Sequence, residues 1–236
     1  MAARKTVIVT GASQGIGAAI VQAFLGRGYN VVATSRSMAK AGLAASPNLA
    51  LVDGDIGDAA TAEKVAKAAI EKFGSIDHLV NNAGIYFSKA FTEYTAEDLR
   101  AFISTNLGGF VFMTQAAVRQ MLAQGRGGSV TSISAALADN PIAGSPASVA
   151  MMTKGGIDAI TLSLANEYAK ERIRFNAVAP GVVDTPLHKG NVNPRSPMGT
   201  FTEPNDIAEA VVYMTEASHV TGEVLHVDDG AHVGKW

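Results

Sequence analysis

Thr6-Val7-Ile8-Val9-Thr10-Gly11-Ala12-Ser13-Gln14-Gly15-Ile16-Gly17 is the stretch on which the fold turns. Thr6–Thr10 is a short β-branched run with the character of a strand buried on both faces. Directly after it comes a glycine-rich loop, and after Gly17 the apolar residues fall at helical spacing: Ile16, Ala19, Ile20, Ala23 and Phe24. A strand that passes through small residues into a helix brings backbone N–H groups and a partial positive charge to one point. That is the chemistry of a pyrophosphate site. A tight strand-to-helix turn would use the same residues for packing alone. Position decides between them, because the first strand–helix junction of a parallel sheet is where nucleotides bind.

The same alternation continues along the chain. β-rich runs at 30–34, 50–53, 78–81, 129–133, 173–178 and 223–227 are separated by helical patterns, for example Val65, Ala66, Ala69, Ile70 and Phe73. This predicts an α/β fold of the doubly wound Rossmann type, with a largely parallel seven-stranded sheet and helices on both faces. No linker, repeat or low-complexity segment interrupts it, so one domain over residues 1–236 is expected. The least regular part, Thr185 to Glu203, is expected to be a lid-like loop or a connection. Ser145-Pro146 has the form of a helix cap followed by proline at the first helical position.

Composition narrows the function. With 236 residues and 47% hydrophobic content, the chain can bury a large core. A net charge of −2 gives no general attraction to nucleic acid or anionic membrane. The absence of cysteine excludes disulfides, thiol nucleophiles and thiolate metal sites, and no metal site is expected. No apolar run reads as a signal core or a bilayer span, so a cytoplasmic protein is expected.

At the end of the second strand a dinucleotide site holds a carboxylate for a ribose 2′-hydroxyl or a cation for a 2′-phosphate. The sequence offers Ser35 and Arg36 and no acid, which favours NADP(H) over NAD(H). Gln14, where a second cation would have strengthened the case, counts the other way.

Thr10-Gly11-x3-Gly15-x-Gly17 is one of an ordered series of motifs. Asp55-Ile56 follows the third strand, Asn81-Asn82-Ala83-Gly84 the fourth, then come Asn106 in Ser104–Gly109 and Lys154 in the helix after the fifth. Asn176–Thr185 and Thr221-Gly222…Val227-Asp228 complete the series. In this order, over essentially the whole chain, the motifs resemble those of the short-chain dehydrogenase/reductase family. The resemblance implies hydride transfer between NAD(P)H and a carbonyl or alcohol of a small molecule. It implies a cofactor held by Gly11, Ser13, Gln14, Gly15, Ile16 and Gly17, with Ser35, Arg36, Asp55 and Ile56 at the adenosine end. Asn82, Ala83 and Gly84 would line it and support the sheet, and Pro180, Gly181, Val183 and Thr185 would hold the nicotinamide end. Asn106 would position a water in a proton relay. Lys154 would bond the nicotinamide ribose and lower the pKa of a neighbouring tyrosine.

That tyrosine is missing. The family pattern places it four residues before the lysine, on the same helical face, and this chain has Ala150 there. The family's serine falls two residues after Ile133, at Ala135. A local slip would bring Ser134 to the serine's place, but no tyrosine exists between Tyr94 and Tyr168. His188 in the expected lid titrates near neutral pH and is a candidate donor, as is Tyr86, two residues beyond Gly84. For each, an ordinary loop or wall residue is the favoured explanation. Three accounts stand: another residue supplies the proton, the substrate is imine-like and needs less proton help, or the protein binds NADP(H) as a silent sensor or scaffold. Small and apolar residues at Ala116, Ala117 and Val118, and at Ile157, Ile160 and Leu164, are of the kind that form dimer and tetramer interfaces in the family, so a homodimer or homotetramer is expected.

Overall fold

The computed structural model describes residues 4–44, 46–186 and 196–234. Strands β1 (Thr6–Thr10), β2 (Asn30–Ser35), β3 (Leu49–Asp53), β4 (His78–Asn81), β5 (Gly128–Ile133), β6 (Ile173–Pro180) and β7 (Val224–Val227) alternate with helices. These are α1 (Gly15–Gly26), α2 (Ala59–Phe73), α3 (Ala96–Phe102), α4 (Gly109–Gln124), α5 (Ser148–Glu167) and α6 (Pro204–Glu216). The strands form one sheet in the order β3-β2-β1-β4-β5-β6-β7, and every pairing is parallel. The expected doubly wound architecture is the one observed. Strand ends differ from the sequence reading by a residue or two, because register sets them: Ser35 pairs with Asp53 and extends β2, and Pro180 pairs with Val227 and extends β6.

Each face of the sheet carries its own core. On one, α1 covers β1 and β2 and α6 covers β5 to β7, the two helices meeting side by side, with Ile20, Phe24, Ile207 and Val211 in the shared core. On the other, α2 and α4 bury Val65, Ala69, Met113 and Met121 against Ile8, Leu79 and Val130. Both layers are alanine-rich, which lets the helices lie close to the sheet. Helices α3 and α4 are joined by a π-helical turn, Ile103–Gly108, into one continuous run from Ala96 to Gln124. By length and composition alone this run is apolar enough to cross a bilayer, contrary to the sequence reading. Its buried residues Phe110, Met113, Ala117, Val118 and Met121 pack within the protein, as in a core helix.

The sheet order reverses between β1 and β4. Crossovers leave in opposite directions there, so the carboxyl ends of these two strands open a crevice. Asn82 bridges it. Its side-chain Nδ2 donates to the carbonyls of Thr10 (2.9 Å) and Gly11 (3.2 Å), and the Thr10 hydroxyl accepts from the N–H groups of Asn82 (3.0 Å) and Ala83 (2.9 Å).

Candidate active site

A cleft of about 850 Å³ runs along the carboxyl ends of the strands from Arg36 to Lys154. Every residue the sequence reading assigns to the cofactor lines it. Gly11 (φ 64°) and Gly15 (φ 54°) adopt left-handed backbone that glycine reaches without strain. Gly17 matters for a different reason: a Cβ there would collide with the Gly11 carbonyl oxygen and lie 2.6 Å from Asn82 Nδ2. Helix α1 thus starts hard against the end of β1. No side chain caps it, and no acidic residue occupies its first turn. Its free N–H groups and unopposed dipole fit a pyrophosphate.

At the β2 end of the cleft, Arg36 is exposed beside Ser35. The nearby Asp53 carboxylate is turned away, accepting the Met38 N–H at 2.6 Å, and the Asp55 carboxylate accepts the Gly57 N–H at 2.9 Å. Arg36 is therefore the one cation lining this end among the described residues. These residues fit a dinucleotide carrying a 2′-phosphate.

At the other end, Lys154 rises from α5, and its Nζ donates to the Ile133 carbonyl at 2.7 Å. Burial strips water from the ammonium and pulls its pKa down to about 8, opposed by the negative charge of Asp158. Gly84 makes room for it: a Cβ there would sit 3.4 Å from Lys154 Nζ and 3.2 Å from Asn106 Oδ1.

Asn106 lies in the π-helical turn, and it is buried behind the cleft wall rather than on it. Its Oδ1 accepts the Ile85 N–H (2.8 Å), and its Nδ2 donates to the Ile85 carbonyl (3.2 Å) and Thr153 Oγ1 (3.0 Å). The side chain thus shapes the loop after Gly84. π-turns of this kind occur often at functional sites.

Ser134, the candidate for the missing serine, lies directly after β5 at the cleft wall. Its N–H pairs with the Val178 carbonyl, in continuation of β5, and its hydroxyl is fully buried beside Asp158. Ser134 and Ala135 both line the cleft, with the Ser134 hydroxyl oxygen itself buried. Ala150 is almost entirely buried, packed with Phe102 and Val149, and Ile85, Tyr86 and Phe87 close around that cluster. Tyr86 also lines the cleft. His188 lies outside the described residues. The expected cap at Ser145 is absent: α5 begins at Ser148, Ala147 holds the cap position without a side-chain bond, and the Ser145 N–H closes a turn on Ile142.

Two features escaped the sequence reading. Asp158 follows Lys154 by four residues, a spacing that would have revealed it had the helix been read forward as well as back. The second is a cluster of two stacked imidazoles, His226 and His232, with ring centroids 4.0 Å apart, bonded to Asp139 and Asp228 respectively. Asp139 and His226 are 87 residues apart, and no local pattern links them.

The chain has relatives along its whole length. A family model described as enoyl-(acyl carrier protein) reductase matches residues 11–232. L-rhamnose 1-dehydrogenase (NAD(P)(+)) of Azotobacter vinelandii is 36% identical over 250 residues, covering 97% of each chain. The crystal structure of 3-ketoacyl-(acyl-carrier-protein) reductase from Brucella melitensis complexed with NADH is similar at a TM-score of 0.92 and 29% identity, covering 98% of this chain and 99% of that one. ElxO with NADP bound is similar at a TM-score of 0.88 and 29% identity, covering 97% of this chain and 98% of its own. With the uncapped glycine loop, the crevice between β1 and β4 and the ordered motifs already in place, these likenesses lead to one assignment: the chain belongs to the short-chain dehydrogenase/reductase family of oxidoreductases.

Proposed function

We propose that the protein is an NADP(H)-dependent oxidoreductase acting on a small neutral carbonyl, alcohol or imine-like compound. The observation that carries this reading is the continuous cleft that joins Arg36 and the uncapped α1 N-terminus to Lys154. The nicotinamide supplies the hydride when bound. Gly11–Gly17 and the first turn of α1 take the pyrophosphate, Arg36 takes the 2′-phosphate, and Pro180, Gly181, Val183 and Thr185 wall the nicotinamide end. Lys154 bonds the ribose. Ile85, Tyr86, Leu137, Ile142 and Met151 give the remaining wall an apolar character with Asn140 as a polar group, which suits an uncharged substrate.

Ala135 and Ala150 neither hold a substrate oxygen nor move a proton. Among the described residues lining the substrate half, Lys154 is the cationic one, and with its pKa near 8 it is mostly protonated at pH 7. We assign it the proton that a carbonyl oxygen needs, delivered directly or through one water. Positioned acids are worth about 10²–10⁴-fold, so a weaker donor leaves a slower enzyme rather than an inert one. An imine-like substrate already carrying its proton makes no such demand. We further place the protein in the cytoplasm as one domain and a homodimer or homotetramer.

A panel of ketones, aldehydes, imines and alcohols, followed at the nicotinamide absorbance across pH, tests the reading. Turnover of at least one class with NADP(H) is expected. The methyl groups at 135 and 150 favour one competing account, a silent NADP(H)-binding protein. Tight cofactor binding without turnover of any member would establish it.

A further inference from the structure

We propose that Asp158 is a positioning residue for this site: a half-buried counter-charge, one helical turn beyond Lys154, that keeps the lysine protonated without drawing it out of the cleft. The proposal rests on the reading of Lys154 as the proton donor. Lys154 and Asp158 are four residues apart on α5, the spacing that stacks side chains on one helical face. Their surroundings differ. Lys154 Nζ donates to the carbonyl of Ile133, the last residue of β5. Asp158 lies against the next residue, Ser134. The Ser134 hydroxyl and Asp158 Oδ1 are both buried without a partner at hydrogen-bond distance, yet are near enough for the hydroxyl to hold the carboxyl's pKa down. The carboxyl is therefore tucked under the end of β5, alongside the lysine rather than in contact with it.

This arrangement has a use. A direct ion pair would hold the ammonium against the carboxylate and take it from the cleft. A carboxylate acting through space raises the lysine's pKa and leaves its remaining donors free for the cleft. Burial drives the Lys154 pKa down, and Asp158 is the group that opposes it. The groups facing Asp158 come from several elements: Ser134 from the end of β5, Asp139 from the turn beyond, Lys154 from its own helix and His226 from β7. Burial and Asp139 push the Asp158 carboxyl upward, whereas Ser134, Lys154 and His226 pull it down. Asp139 is itself bonded by His226 Nε2 at 3.1 Å and by Asn140 Nδ2 at 3.0 Å.

The test reads the lysine itself. In cofactor-free protein labelled with ¹³C-lysine, the Lys154 Cε resonance is assigned by its absence in Lys154→Met and titrated against pH. A midpoint near 8 is expected in the wild type. Asp158→Asn should lower it by about one pH unit, the scale of a single partly screened charge one turn away. Asp158→Glu should restore most of the shift. The alkaline limb of kcat/KM should move with the midpoint, giving a several-fold loss at pH 8 and little change at pH 6. Coupling is reciprocal, so Lys154→Met should raise the midpoint of the Asp158 carboxyl by a similar amount. That measurement decides the matter alone if Asp158→Asn does not fold. Unchanged midpoints in both directions refute the pairing. A shifted Lys154 midpoint with an unmoved alkaline limb keeps the pairing and overturns Lys154 as the proton donor.

Discussion

Replacing Gly17 by alanine adds one methyl group and should cost more than its size suggests. The new Cβ would lie 2.6 Å from Asn82 Nδ2 and overlap the Gly11 carbonyl oxygen. Neither neighbour can step aside without cost. The Gly11 oxygen is main chain, and the Asn82 amide is held by the Thr10 and Gly11 carbonyls. The start of α1 must withdraw by about an ångström to reach van der Waals distance. Loss of the two Asn82 bonds costs about 1 kcal/mol each, and the strain of overpacking adds about 1–3 kcal/mol. The total is about 3–5 kcal/mol, which for a chain of this length lowers Tm by roughly 10 °C. The same withdrawal moves the helix N–H groups off the pyrophosphate, and NADPH should bind at least about tenfold more weakly. Gly26→Ala, in the last turn of the same helix, is the control, because nothing lies within 4 Å of its Cβ and it should be neutral or slightly stabilising. Thermal unfolding followed by circular dichroism and NADPH fluorescence titration read both effects. If Gly17→Ala matched Gly26→Ala in both Tm and NADPH affinity, the close packing of α1 on β1 would be refuted as the reason for glycine here.

Three other outcomes are expected. Arg36→Ala should weaken NADPH binding by about tenfold or more while leaving NADH nearly unchanged, since only the 2′-phosphate presents a charge to it; equal losses for both cofactors would remove Arg36 from phosphate recognition. Ala150→Tyr must turn a phenol out of the packed cluster with Phe102 and Val149 into the cleft. It should lose about 1–3 kcal/mol of stability and turn over its natural substrate more slowly; a gain of about tenfold on simple ketones, with His188→Ala unchanged, would show instead a carbonyl reductase lacking only its acid. His78 is the third case: burial, aided by the positive charges of Lys5 and Arg174 and opposed by Asp77, pushes its pKa down to about 3. The unfolded chain therefore binds a proton at this position between about pH 6.5 and pH 3 that the folded protein refuses. Stability should fall as pH drops through that window, by at most about 1.4 kcal/mol per pH unit. Urea melts at pH 7, 6 and 5 should show the slope, and His78→Gln should reduce it; an unaltered slope would place its origin elsewhere.

The alternation of strand and helix, the doubly wound sheet and the loop at Gly11–Gly17 were legible in the sequence because they are local. Side-chain period and the need for glycine where φ is positive or the backbone is crowded are written residue by residue. The alanines at 135 and 150 are read from the sequence too, since a count forward from Ile133 and a count back from Lys154 along one helical turn need no tertiary information. What the tertiary structure decided is where side chains from distant elements face. How the segment after β5 runs along the cleft depends on the pairing of β5 with β6, Ile133 opposite Val178. That Ser134 then meets Asp158 depends on how α5 docks over that strand end. The placement of Asn106 behind the wall follows from the π-helical turn, which shifts the phase of the helix after Ile103 and has no signature in the apolar spacing. Ser145-Pro146 carried a cap signal that the chain does not use, because the segment closes a turn on Ile142 before α5 starts. A sequence specifies its local geometry directly. It fixes the partners of a buried hydroxyl or carboxyl only through register and docking, which are set by contacts among residues far apart in the chain.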